Sequence, residues 1–91
     1  MFIVVAYDIV SDKRRNEVAN VLKDYGTRIN FSVFECEINK ESLSELKSKI
    51  AGIISRKKDS IVFYEICKSC NDKKEYMGIR KSEDIELVIN L

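Results

Sequence analysis

An α+β fold, with two helices on one face of an antiparallel sheet, is what this sequence predicts, and three observations carry the prediction. Apolar residues recur at alternate positions in some stretches and at helical spacing in others, in the order strand, helix, strands, helix, strand. The middle β-rich stretch changes its apolar phase halfway, which calls for a bulge, a sharp bend or two joined strands. Only two long helical patterns fit into 91 residues, too few for a parallel, doubly wound sheet.

The first strand covers residues 2–8. Phe2-Ile3-Val4-Val5-Ala6 is apolar throughout, which predicts a central strand covered on both faces. It runs into Tyr7-Asp8, whose side chains alternate to opposite sides of the sheet. Ser11 is a suitable N-cap for a helix over about 12–25, with Val18, Val21, Leu22 and Tyr25 as its buried stripe. Gly26 then stands where a helix C-cap favours a left-handed residue. From Arg28 to Ile38 there is neither Gly nor Pro. Ile29, Phe31 and Val33 alternate with Asn30 and Ser32, then the phase switches to Phe34, Cys36 and Ile38, with Glu35 and Glu37 outward.

Asn39 caps a second helix over about 40–54, with Leu43, Leu46, Ile50, Ile53 and Ile54 inward and Glu41 suited to its first turn. A basic break at 55–59 leads to a strand over 61–67. Residues 68–78 read as a polar loop and 79–81 as a short edge strand. In the tail, Ile85, Leu87, Ile89 and Leu91 form one apolar face. Such a terminal strand exposes backbone groups unless it joins a sheet, so it is expected to add to that of a second copy, with those four side chains at the dimer interface. The whole order is the split βαβ, ferredoxin-like βαββαβ arrangement with an extra C-terminal strand.

Length and composition fit one domain over 1–91, which buries roughly 60–65% of its unfolded surface. With 45% hydrophobic and 34% charged residues the chain is globular rather than disordered. A net charge of +1 does not announce a nucleic-acid binder, but cations cluster at Lys13-Arg14-Arg15, Arg56-Lys57-Lys58, Lys73-Lys74 and Arg80-Lys81. No apolar run reaches the roughly 18 residues of a membrane span and no signal-peptide pattern is present, so a cytoplasmic location is expected. There is no histidine, which removes every His-containing triad and leaves carboxylates, a tyrosine or a metal for any catalysis. Three cysteines, an odd number, argue for reduced thiols. Cys67-Lys68-Ser69-Cys70 reads as structural thiols, a zinc half-site short of ligands, or a redox pair.

Candidate functional residues gather at the end of the first strand. Asp8 stands at the carboxyl edge of the sheet, where such folds keep their sites. The plainer alternative is a carboxylate capping the N–H groups of the next turn. Cations in the first turn of a helix oppose its dipole by about 0.3–1 kcal/mol each, so Lys13-Arg14-Arg15 suggests an external anion. Arg14 and Arg15 suit bidentate phosphate binding, Arg28 similarly, and Arg56-Lys57-Lys58 suits a nucleic-acid backbone; solvated charged turns are the bland alternative. Tyr7 is either a catalytic part or a core aromatic with a wet hydroxyl, and Phe34 belongs to the core or to a dimer interface, with base stacking as the lesser alternative.

Tyr7-Asp8-Ile9, Asp12 with Arg15, Leu22, Tyr25-Gly26, Arg28-Ile29-Asn30-Phe31-Ser32-Val33-Phe34-Glu35 and Ile66-Cys67 with Cys70 together resemble the small CRISPR-associated "Cas two" family, over nearly the whole chain. The resemblance implies a ferredoxin-like homodimer that acquires new spacers beside the adaptation integrase, with metal-dependent nuclease activity in some members. Two positions depart from the family's pattern: Glu17 replaces a basic residue and Asn30 a glutamine. One carboxylate holds Mg²⁺ poorly, since that ion wants six oxygens. The functional expectation is therefore a homodimer whose paired Asp8 residues hold Mg²⁺ (or Mn²⁺) and hydrolyse RNA or DNA. The alternative is a non-catalytic dimeric scaffold that binds duplex DNA and the integrase.

Overall fold

Alternation along β1 (Phe2–Asp8) decides which way the sheet faces. In the computed structural model, which describes residues 1–78, Ile3, Val5 and Tyr7 are buried while Phe2, Val4 and Ala6 are half-buried and Asp8 is exposed. The remaining elements are α1 (Asp12–Lys23), β2 (Gly26–Asn30), β3 (Val33–Glu37), α2 (Lys40–Ala51), β4 (Ser60–Ile66) and α3 (Lys68–Asp72). The strands form one sheet in the order β2-β3-β1-β4, with every neighbouring pair antiparallel. That is the ferredoxin-like order, with β1 central as its apolar sequence predicts.

The buried face of β1 and β3 meets both long helices in a single core. Ile3, Val5, Tyr7, Phe34 and Cys36 pack there with Val18, Ala19 and Leu22 of α1 and Leu46 and Ile50 of α2. Each large aliphatic side chain so buried contributes roughly 1.5–3 kcal/mol against the unfolded chain. On the opposite face lie Val4, Ala6 and Glu35, and there Lys74, just past α3, pairs with Glu35 at 3.0 Å. There the register sets Val4 beside Tyr64 and Ala6 beside Val62, and Tyr64 and Val62 are 56% and 43% exposed. Against the expectation of a strand covered on both faces, the described residues bury Ile3, Val5 and Tyr7 on one face and leave Phe2, Val4 and Ala6 on the other half-buried.

Local chemistry accounts for the helix starts. The Ser11 hydroxyl accepts from the Arg14 N–H at 3.3 Å, and the Asn39 side-chain oxygen accepts from the Ser42 N–H at 2.8 Å. The ends differ from expectation. Helix α1 closes at Lys23 with Asp24 still right-handed, and Gly26 opens β2 instead of capping the helix. Its hydrogen faces the ladder partner Cys36, where a Cβ would come within 2.1 Å of the Glu35 carbonyl oxygen. The glycine serves a close strand approach, not a left-handed turn. Helix α2 stops at Ala51, and Ile53 and Ile54 pack on the core from the turn that follows.

The phase change near Ser32-Val33 is two strands joined by Phe31-Ser32, with a further register shift between Arg28 and Asn30. Within 68–78, expected as loop, α3 adds one short helix. It is only five residues long and has no buried side chain, so no apolar stripe announces it. The expected edge strand at 79–81 and the tail strand with Ile85, Leu87, Ile89 and Leu91 lie outside the described residues. Among the described residues no helix is long and apolar enough to cross a membrane.

Candidate nucleic-acid cleft

Asp8 ends β1 with its side chain exposed and enters no ion pair among the described residues. The chain then turns through Ile9, which is buried, so the carboxylate stands on a firmly seated loop. Two contacts from Tyr7 pin the β2–β3 turn beside it. The Tyr7 hydroxyl donates to the Phe31 carbonyl at 3.1 Å, and its backbone N–H donates to the Ser32 carbonyl at 3.0 Å. The Tyr7 ring itself is 5% exposed and stacks on Phe34 with centroids 6.3 Å apart. It is the core aromatic of the plainer alternative, and its hydroxyl positions a turn.

Two cations share this space. Arg15 donates to the Ile9 carbonyl at 3.1 Å and pairs with Asp12, which orients its guanidinium across the β1–α1 loop. Arg28 lies over the Phe34 ring at 5.2 Å, and its Nε is buried without a hydrogen-bond partner among the described residues. Asp8, Arg15, Asn16, Arg28, Phe31 and Ser32 are among the residues lining one cleft of about 440 Å³. A carboxylate and two guanidinium groups around one opening suit a phosphodiester: the cations attract and orient it, and the carboxylate offers oxygen to a metal ion or to the attacking water.

The other expected residues fall elsewhere. The guanidinium of Arg14 is taken up by Asp59, with Nε–Oδ2 at 2.7 Å and Nη2–Oδ1 at 3.1 Å. Asp59 also accepts the N–H groups of Val10 at 3.2 Å and Ser55 at 2.8 Å. Those bonds, chiefly the one from Arg14, hold its carboxyl well below the usual carboxylate range. Arg14 is thus corrected from a phosphate clamp to a staple joining α1, the β1–α1 loop and the turn after α2. Arg56, Lys57 and Lys58 are exposed on that turn. Because Ser60 pairs with Asp8 across the ladder, the basic turn lies at the same end of the sheet as the cleft. Phe34, named for the core or a dimer interface, is wholly buried within this chain and offers no surface to another.

Sequence reasoning passed over Phe31, Asn16 and Asp59. Phe31 had been absorbed into the alternation of a strand, yet it is 70% exposed on the turn. Asp59 carried no signal beyond following the basic run. At the far end of β4, the Cys67 thiol lies 3.2 Å from the Ser69 hydroxyl. That hydrogen bond, with further ones from Cys70, lowers it to about 7, while burial pushes Cys36 up to about 11. Cys36, Cys67 and Cys70 are all free thiols. Among the described residues no three His, Cys, Asp or Glu side chains gather as a metal site.

Comparison with known proteins follows the same lines. Residues 1–74 match the family model described as CRISPR associated protein Cas2. The chain is 39% identical over 75 residues to the CRISPR-associated endoribonuclease Cas2 4 of Rhodospirillum rubrum, covering 82% of this chain and 60% of that protein's length. It is 32% identical to the CRISPR-associated endonuclease Cas2 of Halalkalibacterium halodurans, covering 94% of this chain and 95% of that one. The crystal structure of Streptococcus pyogenes Cas2 superposes with a TM-score of 0.78 at 35% identity, over 86% of this chain and all of that one.

Proposed function

Since this chain belongs to the CRISPR associated protein Cas2 family, we propose that it is an endonuclease of spacer acquisition, hydrolysing phosphodiester bonds of RNA or DNA in the cytoplasm as a homodimer. The observation that supports this reading best is the exposed Asp8 at a cleft that also holds Arg15 and Arg28. The two guanidinium groups would seat a phosphate by charge-assisted hydrogen bonds, and Asn16 adds a neutral donor on the same rim.

The donor chemistry at Asp8 fits a hard divalent cation: an exposed carboxylate oxygen that leaves room for retained water ligands. Mg²⁺ or Mn²⁺ held there would supply a water of lowered pKa and neutralise charge on the scissile phosphate. A single chain provides one such oxygen group, so the site is completed in this reading by a second copy. The sheet face away from the buried core, with Val4, Ala6, Val62 and Tyr64, is the surface on which that copy would seat. Two like charges brought together across a two-fold axis favour a cation between them.

A second reading has its own support. The exposed Arg56-Lys57-Lys58 turn lies at the same end as Asp8 and would follow a duplex backbone without reading bases. Under it the dimer is a scaffold that carries duplex DNA to the adaptation integrase. Replacement of Asp8 by Asn separates the two. The nuclease reading expects cleavage that needs Mg²⁺ or Mn²⁺, stops with EDTA and is lost in Asp8→Asn. Undiminished cleavage by that variant would exclude Asp8 from the chemistry.

A further inference from the structure

Two of the three cysteines stand where packing does not explain them. A cysteine that serves packing is among the most buried of side chains, and Cys36 obeys this at 3% exposure. Cys67 and Cys70 are both exposed, and α3, the helix they open, buries no side chain. Neither thiol serves the core. Capping does not explain them either. The N-cap positions of α1 and α2 hold Ser11 and Asn39, residues favoured there, whereas that of α3 holds Cys67, which is not among the favoured types.

What the two thiols reach is each other. Cys67 is the N-cap of α3 and Cys70 its third residue, so both fall in one turn, where side chains three positions apart are neighbours. The Cys70 thiol hydrogen-bonds the Cys67 sulfur, and the Ser69 hydroxyl lies 3.2 Å from that same sulfur. Ser69 first, and Cys70 after it, hold Cys67 down at about 7, while the bond to Cys67 raises Cys70. One sulfur is thus substantially thiolate at neutral pH and the other keeps its proton, the division of labour that a pair of exchanging thiols needs. Across the β1–β4 ladder Ile66 pairs with Phe2 and Ser60 with Asp8, so the thiols stand at the opposite end of the sheet from the cleft.

We propose that Cys67 and Cys70 form a thiol–disulfide exchange site for low-molecular-weight disulfides, with Cys67 as the attacking sulfur and Cys70 as the resolving one. In the first step the Cys67 thiolate attacks one sulfur of a small disulfide RSSR. The S–S bond of that molecule breaks, one RS⁻ leaves and takes up a proton, and a mixed disulfide of Cys67 with RS remains. Cys70 then gives up its proton and attacks the Cys67 sulfur, expelling the second RS⁻, which is protonated in turn. The chain loses two electrons and two protons, and the small disulfide is reduced to two thiols. A small dithiol reverses both steps. The site gives the junction of β4 and α3 a reversible covalent response that takes no part in the chemistry of the Asp8 cleft.

The test uses the full chain in EDTA with oxidised glutathione as the probe, samples being quenched in acid and weighed intact by mass spectrometry. The parent should pass through a transient adduct of one glutathione and finish with two hydrogens lost and no glutathione retained; dithiothreitol should restore it. Cys70→Ser should stop at the adduct. Cys67→Ser should take up glutathione roughly fivefold more slowly than Cys70→Ser at pH 7, its smaller thiolate fraction being partly offset by the greater nucleophilicity of a less acidic thiol. Both side chains are exposed, so neither serine variant removes a core contact. A parent that stays reduced, that keeps its glutathione, or that closes only as a disulfide between two chains would overturn the proposal. Equal rates in Cys67→Ser and Cys70→Ser would overturn it as well, since Cys67 would then not be the attacking sulfur.

Discussion

Gly26 offers the sharpest test of how the sheet is built. Its expected role as a left-handed helix cap and its observed role as a point of close strand approach predict opposite results for one substitution. A left-handed cap tolerates Asn, at a cost of tenths of a kcal/mol. In the structure a Cβ at position 26 would lie 2.1 Å from the Glu35 carbonyl oxygen and 2.6 Å from the Cys36 sulfur. Ordinary contact begins at 3.4 Å, so the carbonyl would have to retreat by about 1.3 Å, the difference between 3.4 and 2.1 Å. That oxygen belongs to β3, held between β2 and β1, and cannot yield as a flexible side chain would. Overpacking of this kind costs roughly 1–3 kcal/mol. At about 4–8 °C per kcal/mol for a domain of this size, Gly26→Ala and Gly26→Asn should each lower Tm by roughly 4–24 °C. Thermal melts followed by circular dichroism at one fixed protein concentration read this directly. A Gly26→Asn protein melting within a degree or two of the parent would refute the close-approach argument.

Three further outcomes follow from the site and its supports. Asp59 has a depressed folded pKa, so its contribution is complete above the unfolded carboxylate value of about 3.9 and fades as pH falls towards the folded one. Urea midpoints for Asp59→Asn should therefore lie below the parent at pH 7 and converge with it in acid; parallel profiles would remove the staple from the account. Arg14→Lys keeps the charge but loses the paired contacts to Asp59, and should melt below the parent with nucleic-acid affinity nearly unchanged at matched salt. Iodoacetamide should modify Cys67 first, with a rate that rises through about pH 7, while Cys36 stays unmodified in the folded chain; Ser69→Ala should move that inflection to higher pH.

What the sequence determined on its own was the local part. Ser11 and Asn39 cap their helices through hydrogen bonds three residues away, and helical or alternate spacing marks which side of each element is apolar. Such signals survive because the interacting groups are neighbours in the chain. Asp8, Arg15 and Arg28 were also legible one by one, as charged residues at element ends.

Only the tertiary structure decided which of those charges line the cleft. Arg14 and Arg15 are adjacent and alike in sequence, yet Arg14 meets a carboxylate 45 positions away while Arg15 pairs with Asp12 three positions away and lines the cleft. The strand-like alternation of Phe31 gave no hint that Tyr7 would hold it on an exposed turn beside Asp8. Gly26 reads as a helix end because that motif is local, whereas the carbonyl that excludes a side chain belongs to the neighbouring strand. Pairing across a sheet brings distant residues within a few ångströms, and neither composition nor periodicity encodes which ones meet.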